Sequence, residues 1–197
     1  MVEEIECMVH SFVAGVDEAG RGPLAGPVIA GAVILAPGQN TEGLTDSKKL
    51  SEKKRDYWYN RLREESFAWA LGCAQAHEID ALNILQASLL AMKRAVLALS
   101  PLPTMIKVDG NQTLDLSMPC EAIIKGDLTV PAISAASVIA KVTRDREMVA
   151  LSIKYPEYGF AQHKGYPTRL HKEALKKWGP CLHHRKSFSP ISELLES

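Results

Sequence analysis

Three short strand-like runs in this chain stop on carboxylates beside glycine, and that recurrence constrains the fold more than any other feature. Phe12 to Val16 runs into Asp17-Glu18, Met105 to Val108 into Asp109-Gly110-Asn111, and Glu121 to Ile124 into Lys125-Gly126-Asp127. In open α/β sheets, strand ends are where sites are built. Val28 to Leu35, closed by Pro37-Gly38, predicts a strand paired hairpin-fashion with the first, and Phe67 to Ala76 predicts another. Ser51 to Glu65 suits a helix with Ser51 as N-cap and Tyr57, Trp58 and Leu62 as an inner stripe. Ile79, Leu82, Leu85, Leu89, Met92, Val96 and Leu99 recur at close to the helical period, so His77 to Leu99 reads as one helix ended by Pro101 and Pro103. Small residues from Ala132 to Ile153 let a helix lie close on a sheet. Beyond Pro156 the chain reads as irregular until Thr168 caps a last basic helix to about Lys177. Strands alternating with helices make the class α/β.

With 197 residues, 46% of them apolar, the chain can bury one substantial core with a short appendage. The segment Met1 to Cys7 carries Glu3, Glu4 and Glu6 where a secretory signal needs positive charge. The longest apolar run, Ala25 to Ala36, is too short for a bilayer and is interrupted by Gly26, Pro27 and Gly31. The expectation is a cytoplasmic protein with no membrane partner. Cys7, Cys73, Cys120 and Cys181 are scattered, as expected of incidental or buried thiols in a reducing compartment. A formal net charge of zero argues against binding nucleic acid through bulk positive charge. The distribution is uneven, however: Lys164, Arg169, Lys172, Lys176, Lys177, Arg185 and Lys186 face Glu173 alone in the C-terminal part.

Acids beside glycine are ordinary turn formers, and each site taken singly fits that reading. Three such turns together favour a convergent cluster of Asp17, Glu18, Asp109 and Asp127. Such carboxylates repel one another by about 4 kcal/mol per pair at 4 Å and an effective dielectric of about 20. Bound Mg²⁺ or Mn²⁺ removes the conflict, because hard divalent cations take oxygen ligands. Two such ions can activate a water and stabilise the leaving oxygen of a phosphodiester displacement. Zinc is disfavoured: His183-His184 lacks a zinc spacing, and His163 and His171 stand alone in sequence. One difficulty is geometric. Neighbours on a strand point to opposite faces, so Asp17 and Glu18 share a site only if the strand ends or bulges there.

The turn Gly20-Arg21-Gly22-Pro23 matches neither a dinucleotide fingerprint nor a P-loop; its glycines allow close backbone approach, and Arg21 supplies a planar fork of donors. The run Val13-Ala14-Gly15-Val16-Asp17-Glu18-Ala19-Gly20-Arg21-Gly22-Pro23-Leu24 resembles ribonuclease HII, the bacterial type 2 ribonuclease H. Asp46-Ser47-Lys48-Lys49-Leu50, Val108-Asp109-Gly110-Asn111, Lys125-Gly126-Asp127, the stretch Ser134 to Val142, and His163-Lys164-Gly165-Tyr166-Pro167-Thr168 resemble its further motifs, in its order. Leu128-Thr129 after Asp127 departs from the family pattern, where Ser followed by a basic or polar residue is more usual.

The resemblance implies a ribonuclease H-like fold: a mixed five-stranded sheet flanked by helices, with a small helical C-terminal extension. It implies a catalytic domain over residues 1–155 and a basic helical segment over 156–197 that packs on it and helps hold substrate. Asp17, Glu18, Asp109 and Asp127 become the catalytic and metal-binding set for Mn²⁺ or Mg²⁺, two ions during catalysis. Gly20, Arg21, Gly22 and Tyr166 become the readers of the 2′-hydroxyl and sugar at an RNA-to-DNA junction. Lys48, Lys49 and Lys141 are candidates for phosphate contacts, with solvated lysines as the alternative. The implied reaction is cleavage of RNA–DNA hybrids, and 5′ of ribonucleotides embedded in duplex DNA, leaving 3′-hydroxyl and 5′-phosphate ends. A monomer is expected. A replication clamp is a conceivable partner, although no clamp motif is legible after Phe188. The competing readings are another nuclease of the superfamily, which cuts all-DNA substrates equally well, and a non-catalytic hybrid-binding module. A polyanion binder gains nothing from clustered acids without metal.

Overall fold

The computed structural model describes residues 12–196, so Cys7 and the acidic stretch Met1 to Cys7 lie outside the described residues. Five strands, β1 (Val13–Ala19), β2 (Val28–Ile34), β3 (Ala68–Ala74), β4 (Met105–Asp109) and β5 (Cys120–Ile123), form one sheet in the order β3-β2-β1-β4-β5. The β1–β2 and β2–β3 pairs are antiparallel, while β1–β4 and β4–β5 are parallel, which makes the sheet mixed. The helices are α1 (Glu52–Glu65), α2 (Ala76–Leu82), α3 (Ile84–Leu97), α4 (Gly126–Thr129), α5 (Pro131–Lys154), α6 (Phe160–His163), α7 (Arg169–Trp178) and α8 (Ile191–Glu196).

Alternation along β2 divides the core. Val28, Ala30, Ala32 and Ile34 pack with Ala87, Ala91, Ala95 and Val96 of α3, whereas Val33 packs with Trp58 and Leu62 of α1 and Ala135, Ala136 and Ile139 of α5. Small residues set the close approach on both faces. A β-carbon on Gly15 would fall 2.1 Å from the Ala132 backbone of α5, and one on Gly72 would fall 2.0 Å from the Ala91 carbonyl of α3. The C-terminal segment closes a third cluster, where Leu24 and Ala25 meet Met148, Leu151, Phe160, Leu175 and Ile191.

Several local expectations are corrected. The helix expected from His77 to Leu99 is two, because Asn83 adopts φ 74°, ends α2, and caps α3 by accepting from Leu85 N and Gln86 N. At ψ 165° this lies outside the left-handed helical region and is an uncommon conformation for any side chain, and apolar spacing is blind to it. Tyr57 leaves the inner stripe of α1, being 57% exposed, and Tyr59 takes its place beside Trp58 and Leu62; Ser51 does cap the helix, accepting from Lys54 N. The stretch after Pro156 is not irregular: it makes a 3₁₀ turn, Pro156–Tyr158, and then α6. Asp127 sits in the first turn of α4 rather than at a strand end. Strand β1 runs through Asp17-Glu18 to Ala19 without ending or bulging, with Asp17 opposite Gly31 and Glu18 opposite Ala30.

Candidate active site

Two parallel strands and one helical turn deliver the acids. Asp17 lies on the face of β1 that bears Gly15, against α5, and is only 6% exposed. Asp109 closes β4, and Asp127 follows β5 through Lys125, whose left-handed φ of 58° turns the chain into α4. Oxygens of Asp17, Asp109 and Asp127 all lie within 4.8 Å of one another. The cluster is braced from below. Asp127 N donates to Asp109 Oδ1 at 3.3 Å, and Ser134 Oγ of α5 donates to the Asp127 carbonyl at 2.7 Å.

Glu18 stands outside that triad, since it leaves β1 on the opposite face. It is nonetheless electrostatically part of the site, because Asp109 acts on both Asp17 and Glu18. Pairing of β1 with β4 stops at Val16, so acids from both faces border the same open end of the sheet. That open end answers the geometric difficulty without a bulge.

Burial pushes the Asp17 carboxyl well above the usual range, and the neighbouring charges of Glu18 and Asp109 add to the rise; bonds from Ser137 and from the Glu18 N–H, at 2.7 Å, oppose it. Glu18 is raised by burial, against the pull of Arg21, whose Nη1 lies 3.4 Å from Glu18 Oε1. Asp127 is raised by burial, then by Asp109 and Asp46, with Lys48 lowering it. Three carboxylates held this close in a partly dry site favour a proton or a cation between them. A donor set made only of carboxylate oxygens suits a hard divalent cation.

Beyond β1 the chain turns at Gly20, with φ 103°, and exposes Arg21 and Gly22. Tyr166, 41% exposed, brings its ring to 3.6 Å from where a Gly22 β-carbon would sit. The turn and this tyrosine therefore line one surface beside the acids.

The ribonuclease HII family model matches residues 14–190. The chain belongs to the ribonuclease HII family. It is accordingly a ribonuclease H, an endonuclease acting on RNA in RNA–DNA hybrids, from a family that depends on divalent metal. Among solved structures, the ribonuclease H2 of Pyrococcus horikoshii OT3 is 30% identical, with a TM-score of 0.78 over 93% of this chain and 97% of its own. The ribonuclease HII of Archaeoglobus fulgidus, solved in complex with PCNA, is 25% identical, with a TM-score of 0.77 over 90% of this chain and 95% of its own. Bst-RNase HIII, solved with Mn²⁺, shares the fold at 18% identity, with a TM-score of 0.69 over 94% of this chain and 70% of its own.

The remaining family-motif residues divide into exposed and braced groups. Lys48 and Lys49 are exposed, on a turn where Asp46 Oδ1 accepts from Lys48 N at 2.9 Å. Buried Ser47 meets Ser137 at 2.9 Å, and Ser137 in turn bonds Asp17, so this turn is tied to the acidic cluster. Lys141 is half-buried and donates to Asp145 at 2.7 Å, which gives Asp145 a partner away from the triad.

Two features of the C-terminal part emerge only in the fold. Arg185 does not belong to an exposed basic face, since it is wholly buried. His163 and His171, though alone in sequence, meet in space: their rings stack at 4.4 Å, and His171 Nε2 meets His184 Nε2 at 3.0 Å. The partners fix neutral tautomers. His171 Nδ1 donates to the Tyr166 carbonyl at 3.0 Å, so its Nε2 accepts from His184, whose Nδ1 accepts from Cys181 N. Burial lowers both, His171 to about 4 and His184 to about 3. Isolated histidines separated in sequence gave no sign of this cluster. The buried Arg144 and Ser137 were equally hidden in the polar and small-residue stretches of α5.

Proposed function

We propose that this ribonuclease H cuts on the 5′ side of a ribonucleotide embedded in duplex DNA, leaving 3′-hydroxyl and 5′-phosphate ends, so that misincorporated ribonucleotides and RNA primers are removed. The observation that carries the reading is adjacency: the Gly20-Arg21-Gly22 turn, backed by Tyr166, borders the carboxylate cluster, with Arg21 3.4 Å from Glu18. A sugar read at that turn leaves its phosphate beside the acids. The 2′-hydroxyl is what distinguishes RNA from DNA at a site. A site built to hydrogen-bond it rejects the deoxy analogue by as much as ~10⁴–10⁵-fold, through polar groups left unpaired.

Asp17, Asp109 and Asp127, with Glu18 beside them, would hold the divalent ions. Mg²⁺ or Mn²⁺ there supplies Lewis-acid activation of water and charge stabilisation of the leaving oxygen. The chain's own part is to hold the acids in place and to offset part of the burial that favours their protonated forms. Ser137 and the Glu18 N–H hold Asp17, Ser134 holds the Asp127 turn, and Arg21 restrains Glu18. Exposed Lys48 and Lys49, and the basic face of α7 with Lys172, Lys176 and Lys177, supply sequence-independent attraction to phosphates. The segment 156–197 thus acts as a substrate-holding appendage of the 1–155 domain. The Archaeoglobus complex supports a replication clamp as the protein partner class.

The test uses a DNA duplex with one ribonucleotide and an all-DNA control, both incubated with Mg²⁺ or Mn²⁺. Expected is a single incision 5′ of the ribonucleotide and none in the control. Equal cutting of both substrates supports a general superfamily nuclease instead, and binding without metal-dependent cleavage supports a hybrid-binding module.

A further inference from the structure

Two arginines are buried behind the turn. Arg144 of α5 is 1% exposed and Arg185 is 0% exposed, and among the described residues neither has a carboxylate within ion-pair distance. Isolated buried cations are costly, and guanidinium groups in such places need every donor occupied. Here the acceptors are main-chain carbonyls. Arg185 donates through Nη1 to Arg21 O at 2.9 Å, through Nη2 to Gly20 O and Gly26 O, and through Nε to Gly26 O at 3.1 Å. Arg144 donates through Nε to Pro27 O at 3.0 Å, through Nη2 to Ala25 O at 3.1 Å, and through Nη1 to Lys164 O at 3.1 Å. Both ends of the glycine-rich turn are therefore clamped, and Arg144 ties the turn to the segment that carries Tyr166.

Glycine at position 20 makes room for the clamp. Its β-carbon would lie 2.1 Å from Arg144 Nε, at a φ of +103° that other residues rarely adopt. The consequence for recognition follows from peptide planarity. In a trans peptide the carbonyl and the following N–H point in opposite directions. With Gly20 O and Arg21 O turned inward onto Arg185, the N–H groups of Arg21 and Gly22 turn outward. Both residues are exposed, and neither N–H has an acceptor among the described residues. Each peptide dipole then has its negative end on a buried cation and its positive end towards the surface. That orientation suits a hydroxyl or phosphate oxygen.

We propose that Arg185 and Arg144 are positioning residues for the ribose-reading turn: from behind, they set the outward orientation of the Arg21 and Gly22 N–H groups and hold Tyr166 beside them. Discrimination between ribose and deoxyribose thus depends on two side chains that touch no substrate. The inference rests on the junction-cutting function proposed above. Lysine keeps the charge but lacks the planar fork, so it cannot reach three carbonyls from one side chain.

The test compares wild type with Arg185→Lys and Arg144→Lys, using duplexes with one ribonucleotide and all-DNA duplexes. Binding is measured in Ca²⁺, cleavage in Mn²⁺, and Mn²⁺ affinity by calorimetry. Expected are folded variants with unchanged Mn²⁺ affinity, a KM raised by about tenfold or more, and a ribo-to-deoxy binding ratio reduced by a similar factor, as loss of charge-assisted bonds would give. Unchanged ratios in folded variants would overturn the proposal. Wild type that does not distinguish the two duplexes overturns the junction reading instead. Should neither variant fold, amide exchange on the wild type decides: fast exchange at Arg21 and Gly22 in the free protein, slowed by the ribonucleotide duplex, supports the clamp. Slow exchange at both in the free protein refutes it.

Discussion

Replacing Asp17 with asparagine should stabilise the metal-free protein while removing its response to metal. Asp17 shares its space with Asp109 and Asp127, one oxygen of each lying within 4.8 Å of the others. A fully ionised pair at that separation repels by about 3.5 kcal/mol at an effective dielectric of about 20. Asp17 escapes part of this by holding its proton, since its folded pKa is raised. The relief on substitution is therefore a fraction of the pair energy, on the order of 1–2 kcal/mol, or a rise in Tm of roughly 2–8 °C for a domain of this size. Asparagine keeps the shape and can still accept from the Glu18 N–H. The sign with pH is fixed. An acid whose folded pKa is raised is favourable to folding below its unfolded value of about 3.9, and that contribution is lost as pH rises through the folded pKa. The advantage of Asp17→Asn should consequently grow from acid towards neutral pH. With Mn²⁺ at about 100 times its Kd, wild type gains about 2.7 kcal/mol and the variant far less, so the order of Tm reverses. Calorimetric scans at neutral pH in EDTA and in Mn²⁺ measure both. A variant less stable than wild type in EDTA, or one stabilised equally by Mn²⁺, refutes the reasoning.

Other perturbations separate the scaffold from the site. Gly72→Ala places a β-carbon 2.0 Å from the Ala91 carbonyl and 2.4 Å from Ala95 N, so backbone must move; a loss of about 3 kcal/mol or more in denaturant unfolding is expected, with Mn²⁺ affinity of the folded fraction unchanged. Ser137→Ala removes a bond that holds the Asp17 pKa down, and the acid limb of the rate–pH profile should move to higher pH; an unmoved limb counts against that role. His171 and His184 are neutral and depressed to about 4 and about 3, below the unfolded value of about 6.5. Unfolded chains then bind more protons, so the stabilising contribution of the pair is intact above pH 6.5 and declines as pH falls towards the folded values. The stability difference between wild type and His184→Gln should accordingly shrink between pH 7 and pH 5, and a constant difference would show that the pair does not titrate on unfolding.

Much of the fold was legible because its signals are local. Ser51 and Thr168 cap helices through their own side chains, and the continuous Val-, Ile- and Ala-rich run of β2 marked a strand buried on both faces. The break at Asn83 was not legible, because the apolar spacing continues across it while one backbone dihedral changes sign. Acids at the ends of β1 and β4 were visible as candidates, but the sequence could not say whether β1 continues through Glu18 and so sends it to the face opposite Asp17. The clamp of Arg144 and Arg185 was hidden for a different reason. Their acceptors are main-chain carbonyls distant in sequence, and carbonyls carry no residue code. A basic residue in a basic stretch therefore reads as a surface charge until the fold shows it buried.

The most direct measurement is metal-titrated hydrolysis of a uniform RNA–DNA hybrid by wild type and by Asp109→Asn, with metal binding followed in parallel. If the carboxylate cluster is the metal-dependent hydrolytic centre, wild-type cleavage rises with Mn²⁺ or Mg²⁺ as the site fills, and the variant loses about 10³-fold or more in rate together with its metal affinity. Metal-independent cleavage, or a variant that cuts the hybrid as fast as wild type, contradicts it.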